Sequence, residues 1–168
     1  AAQEGWRLEC GGLSDAHVAA AHLANQAQVN AALLASGAPI DRINLVRKHL
    51  SRVKGGQLAA AAWPARVLCL MISDVPGDDP AMIGSGPTVG DGSTPADALA
   101  VLERWRVAVP AGVTAALAQG SGVVPPGDPR LARTRNEVIA APAQSLDASA
   151  DLARAAGCEV RILGDRIE

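Results

Sequence analysis

Six consecutive apolar residues, Val67-Leu-Cys-Leu-Met-Ile72, follow Pro64 and run straight into Ser73-Asp-Val-Pro-Gly77. A run this short, with no polar alternation, reads as a strand covered on both faces. That pattern belongs to parallel sheets, whose crossover helices shield them above and below. The chain leaving the strand passes through residues 73–93, dense in Gly, Pro, Asp and Ser. A loop this long inside a compact domain is usually functional or disordered, and this composition favours function. It also starts at the carboxyl edge of the strand, where open α/β sheets bind ligands.

Helical patterns surround this strand. Ser14 is a candidate cap for a helix from Asp15 to Ala35, stopped at Gly37. Ile43, Val46, Leu50 and Val53 recur three and four apart, predicting a helix from Asp41 to Lys54 that Gly55-Gly56 ends. Thr94, Pro95 and Asp97 carry the signals of a capped start, with Leu99, Leu102 and Trp105 on one side of the helix that follows. Pro110 opens a helix to about Ala118, and Gly120 to Arg135 reads as a surface connection. A strand at Val138–Ala141, a helix from Gln144 to Ala156 and a strand at Glu159–Leu163 predict a right-handed parallel crossover. The expected class is α/β: a three-layer, mostly parallel sheet with helices on both faces, Rossmann-like and incomplete at both ends. The 168 residues form one domain, read as part of a longer protein.

Composition narrows the partner. Aromatics are 2%, all Trp, and the formal net charge is −2, so neither base stacking nor global attraction to nucleic acid or anionic membrane is expected. Cys10, Cys69 and Cys158 form no Cys-x-x-Cys pair, which points to a reduced, cytoplasmic setting, and Cys69 reads as core. His17 and His22 diverge on a helix and read as surface residues. No apolar run is long enough to span a membrane. A small-molecule partner is left.

Two places carry candidate chemistry. On the helix from Asp41, the residues Asn44, Arg47, Lys48, Ser51 and Lys54 form a polar stripe without an acid, suited to phosphate or carboxylate. The alternative is a solvated face whose cations complement the helix dipole. In the loop, Ser73-Asp-Val-Pro-Gly-Asp-Asp-Pro80 offers Asp74, Asp78 and Asp79 for a magnesium ion, although Asp beside Pro and Gly is also ordinary turn chemistry. Ile83-Gly-Ser-Gly-Pro-Thr88 would let backbone N–H groups approach an anion, or is a plain turn. Neither a P-loop nor a Gly-x-Gly-x-x-Gly fingerprint is present.

Asn44-Leu-Val-Arg-Lys-His-Leu-Ser51 with Lys54-Gly-Gly56, then Ser73–Pro80, then Ser85-Gly-Pro-Thr88 with Asp91 and Thr94, resembles the glycerate 2-kinase family. Its members are often labelled hydroxypyruvate reductase and end in a MOFRL domain. The resemblance runs from about residue 29 to 168, and Leu33–Ile40 shares it. Gln57 stands where many relatives have a basic residue, and Gly84 where they often have Ala. The family's Ser-Gly-Gly-Gly-Ser segment has only Cys10-Gly-Gly12 as its counterpart.

The resemblance implies ATP-dependent phosphorylation of D-glycerate to 2-phosphoglycerate with Mg2+, by a two-domain enzyme of which residues 1–168 are a partial N-terminal α/β domain without the MOFRL domain. With that chemistry, Arg47, Lys48 and Lys54 are expected to contact phosphate or the glycerate carboxylate, together with Asn44 and Ser51. Asp74 and Asp78 are expected to bind magnesium or orient the attacking hydroxyl, next to Ser73, while Ser85, Gly86 and Thr88 belong to a backbone anion cradle. The competing expectations are a nicotinamide-dependent hydroxypyruvate reductase and an inactive ligand-binding or oligomerising fragment.

Overall fold

The computed structural model describes residues 27–164. Helix α1 is seen over 27–35, and the earlier part predicted from Asp15, with His17, His22 and Cys10, lies outside the described residues. Then follow α2 (Ile40–Leu50), α3 (Gln57–Ala62), β1 (Val67–Ile72), α4 (Pro95–Arg104), α5 (Ala111–Gln119), β2 (Thr134–Ala140) and α6 (Pro142–Ala155). Among the described residues no helix is long and apolar enough to cross a membrane.

The strands pair in parallel, from Val67 opposite Thr134 to Met71 opposite Val138, with an irregularity before Ile72 opposite Ala140. The class is α/β, and among the described residues the sheet has two strands. The crossover joining them contains α4 and α5. The predicted crossover to Glu159–Leu163 is not there, because those residues form no strand. Instead β2 begins at Thr134, inside what reads as a surface connection, where Arg135 and Glu137 mask its strand pattern.

The core lies among the helices. Val29 and Leu33 of α1, Ile43 and Val46 of α2, Val101 and Leu102 of α4, and Val113 and Leu117 of α5 bury against one another. Burying each such side chain stabilises by roughly 1.5–3 kcal/mol, so this cluster is what fixes α2 in place. On α4 the buried face is Ala98, Val101 and Leu102, rotated from the predicted one through Leu99. The sheet departs from expectation as well. Met71 is buried, yet Leu68, Leu70 and Ile72 are 60%, 54% and 72% exposed, so only one face of β1 is covered among the described residues.

Helix α4 starts as its residues dictate. Thr94 Oγ1 accepts the Asp97 N–H at 3.2 Å while Asp97 Oδ2 accepts the Thr94 N–H at 2.7 Å, a reciprocal capping box with Pro95 at the first position. Thr94→Ala is expected to cost about 1 kcal/mol, read as a lower urea midpoint with unchanged slope.

Helix α2 ends earlier than its periodicity predicts. Ser51 turns extended (φ −95°, ψ 155°), and its hydroxyl accepts the Val53 and Lys54 N–H groups at 3.2 and 3.3 Å. Arg52, Val53 and Lys54 therefore sit on a turn rather than on the helix face.

Candidate functional site

That turn is stitched to the small-residue loop. Gly55 N–H donates to the Ser85 carbonyl at 3.1 Å, Gly56 N–H to the Gly86 carbonyl at 2.8 Å and Leu58 N–H to the Pro87 carbonyl at 3.2 Å. The result carries Lys54 to the loop, where its Nζ donates to the Gly84 carbonyl at 2.9 Å. Gly84, Ser85 and Gly86 all have positive φ, at 58°, 64° and 61°. A Cβ on Gly86 would stand 2.9 Å from the Ala81 carbonyl oxygen, so glycine is required there. Ser85 holds the same backbone region with a side chain, a conformation that costs on the order of 1–3 kcal/mol and is held by the surrounding fold.

A cleft of about 350 Å³ opens between α2, the turn, the end of β1 and this loop, lined by Asn44, Arg47, Lys54, Asp74 and Ser85 with Ile40, Val75 and Met82 as apolar walls. Five residues singled out from the sequence thus share one cavity. Asn44 organises it: its Oδ1 accepts Arg47 Nη1 at 3.3 Å and the Ser85 hydroxyl at 3.4 Å, both long contacts. Among the described residues neither Arg47 nor Lys54 has a carboxylate within ion-pair distance. Burial, then the neighbouring charges of Arg47 and Lys48, hold the Lys54 ammonium below its ordinary pKa. Two uncompensated cations beside a polar cavity favour an anion.

Other expected site residues fall elsewhere. Ser73 is buried and its hydroxyl turns back to the Val75 backbone, donating to the carbonyl at 3.3 Å and accepting the N–H at 3.2 Å. Thr88 is buried and donates to Asn136 Oδ1 at 2.6 Å, tying the loop to β2. The backbone cradle needs correcting, because the Ser85 and Gly86 N–H groups are spent on the Met82 and Ile83 carbonyls at 2.9 and 3.0 Å. Asn44, Arg47, Lys54 and Ser85 bring side-chain donors to the cleft. Asp79 closes a turn by accepting the Ala81 N–H at 2.9 Å. Asp78 has φ 54° and a buried Oδ1 without a hydrogen-bond partner among the described residues.

Lys48 leaves the stripe. It is 4% exposed, points away from the cleft side of α2 and pairs with Asp91 Oδ2 at 2.5 Å. Asp91 Oδ1 accepts both the N–H and the hydroxyl of Ser93. Since Ser93 donates its proton to Asp91, its oxygen accepts from His49 Nε2 at 3.0 Å, and His49 Nδ1 then accepts the Ser121 hydroxyl at 2.7 Å. Burial is the largest influence on His49 and lowers its pKa, which agrees with this neutral tautomer. The network joins α2 to the 91–93 and 121–124 segments. Sequence reasoning misses it because its partners lie 43, 44 and 72 residues apart.

Among the described residues no three His, Cys, Asp or Glu side chains converge to hold a metal. Magnesium commonly takes only one or two carboxylates and completes its shell with water and phosphate oxygens. Asp74 on the cleft wall fits that donor chemistry, whereas Asp78, with its orphaned oxygen, does not line the cleft.

Comparison with known proteins gives this arrangement a family. A protein of Agrobacterium vitis named "Putative hydroxypyruvate reductase" is 48% identical over 148 residues, 87% of this chain and 33% of that protein. The D-glycerate 2-kinase of Thermotoga maritima is 49% identical over 92 residues, 55% of this chain and 22% of that protein. The crystal structure of glycerate kinase from Thermotoga maritima superposes with a TM-score of 0.68 at 37% identity, over 84% of this chain and 33% of that one. The chain thus spans a third or less of these three relatives. Residues 8–118 match the family described as "Domain of unknown function (DUF4147)", and the chain belongs to that family, with glycerate kinases among its relatives.

Proposed function

We propose that this chain supplies the anion-binding cleft of an ATP-dependent glycerate 2-kinase, as part of an N-terminal α/β domain that works with a separate MOFRL domain. The observation that carries the reading is the convergence of Arg47 and Lys54, neither paired with a carboxylate among the described residues, with Asp74 in one cleft, in a chain whose relatives include a D-glycerate 2-kinase.

In the proposed reaction the C2 hydroxyl oxygen of D-glycerate bonds to the γ-phosphorus of ATP, the bond to the ADP oxygen breaks, and the hydroxyl proton is released. Phosphoryl transfer asks a protein mainly for positioning and charge stabilisation. Arg47 and Lys54 neutralise phosphate or carboxylate charge. Asn44 and Ser85 hold Arg47 in its direction. Asp74 would receive magnesium or accept the hydroxyl's hydrogen bond, and a bound magnesium would add further charge neutralisation on the phosphates. Lys48 acts in this scheme by fixing α2 through Asp91 and not by touching substrate.

The protein made from its complete reading frame should consume ATP only when D-glycerate and magnesium are present, yielding 2-phosphoglycerate. Asp74→Asn should reduce that turnover by about 100-fold or more with little change in melting temperature, because Asp74 is exposed at the strand's end and outside the core. NADH oxidation by hydroxypyruvate without kinase activity would replace this reading with the reductase, the name carried by the Agrobacterium relative.

A further inference from the structure

The cleft has a side chamber. A cavity of about 110 Å³ lies between α1 and the end of α2, lined by Val29, Asn30, Arg47, Leu50, Ser51 and Lys54. Arg47 and Lys54 line both spaces, so the two cations form a shared wall. Cofactor-sized ligands occupy cavities of roughly 300–1,000 Å³, whereas a dry cavity of about 150 Å³ holds a benzene ring. The larger space therefore suits phosphate-bearing ligands, and the side chamber suits one end of a small molecule, such as a carboxylate with its neighbouring carbon.

We propose that this side chamber is the subsite of the small hydroxy acid, with Asn30 as its specificity-determining side chain. The inference rests on the kinase reading and adds where the acceptor sits. Asn30 stands within a helix, where asparagine is a weak helix former, is half-buried and makes no side-chain hydrogen bond among the described residues. Its amide can accept from one hydroxyl and donate to another oxygen. The Ser51 oxygen already accepts two backbone N–H groups, which leaves its O–H to donate to a carboxylate. Val29 and Leu50 face the carbon chain and disfavour a polyphosphate. A hydroxy acid whose carboxylate end enters here meets Arg47 and Lys54 with that anion and leaves its C2 hydroxyl on the cleft side, where the same cations meet phosphate and Asp74 lines the wall.

Calorimetric titration of D-glycerate and of ATP, separately, into the protein from its complete reading frame tests this. Asn30→Leu, which fills the chamber, should abolish D-glycerate binding and leave ATP affinity within about twofold. Asn30→Asp, nearly the same shape, should weaken D-glycerate by about tenfold or more through repulsion of its carboxylate. If Asn30→Leu does not fold, Asn30→Asp decides alone. Wild-type affinity for D-glycerate in the folded variants would overturn the subsite while ATP-dependent phosphorylation by the wild type kept the kinase reading intact. A wild type that binds no D-glycerate would overturn both.

Discussion

Asp91→Ala is expected to lower stability by about 3–5 kcal/mol, because it strands the Lys48 ammonium in a site that leaves its side chain 5% exposed. For a chain of this size that corresponds to a fall of about 10–15 °C in melting temperature. Burial pushes the Asp91 carboxyl up, but the bonds from Lys48 and Ser93 outweigh it and hold its pKa at about 2, against an ordinary 3.8. A carboxylate held below its unfolded value stabilises the fold fully above that value, and the contribution is lost as pH falls through the folded one. The difference between wild type and Asp91→Ala should therefore be whole at pH 7 and shrink between about pH 4 and pH 2. His49 acts earlier in an acid titration. Its folded pKa lies below 6.5, so the neutral form favours the native state and stability begins to fall once the pH drops below 6.5. Replacing both partners, Lys48→Met with Asp91→Leu, should restore much of the loss, since an apolar pair leaves no buried charge. Urea melts of wild type, Asp91→Ala and the double variant at pH 7 and pH 3 check these expectations. An Asp91→Ala midpoint equal to wild type at pH 7 would mean the pair is solvated and contributes nothing.

The parts of the fold legible from sequence are those written in contiguous residues. The strand Val67–Ile72 stands at its predicted bounds because an uninterrupted apolar run flanked by Pro64 and Ser73-Asp74 has few other uses. Helix α4 is equally readable, since Thr94, Pro95 and Asp97 satisfy its first turn without help from elsewhere. Misreadings arise where tertiary contacts override local pattern. Val53 continues the period of Ile43, Val46 and Leu50, yet the hydrogen bonds of Gly55 and Gly56 to the 85–86 carbonyls draw the chain out of the helix. Helix α3 carries no such signal, because Gln57–Ala62 has no capping side chain and only Ala59 is buried. At the site, Asn44, Arg47 and Lys54 from the stripe and Asp74 and Ser85 from the loops are the sequence candidates that line one cleft. Which stripe residue turns inward is not legible. Lys48 is one residue from Arg47, and about 100° of rotation sends it to Asp91 instead of the cleft.

Arg47→Ala and Lys54→Ala are each expected to weaken anion binding by about ten- to a hundredfold, and Arg52→Ala to leave it unchanged. A hydrogen bond to a charged group is worth about 1.5–3 kcal/mol, and removing either cation withdraws one such donor from an anion that has few others. The double variant should lose less than the product of the two single effects, because the side chains share one wall and their contributions couple. Arg52 carries the same charge a few residues away, but it is exposed on the turn and lines neither cavity. It therefore separates local contact from long-range attraction, which at physiological salt fades over roughly 8 Å. Folding is checked first by thermal melts, and ATP and D-glycerate are then titrated into each variant at low and at physiological salt. Effects at Arg47 and Lys54 that persist at the higher salt while Arg52→Ala stays silent identify direct contacts. Equal, salt-sensitive losses at all three positions would instead make the stripe a general positive surface, and would move the search for phosphate contacts to the Ser85 hydroxyl and to a magnesium ion held at Asp74.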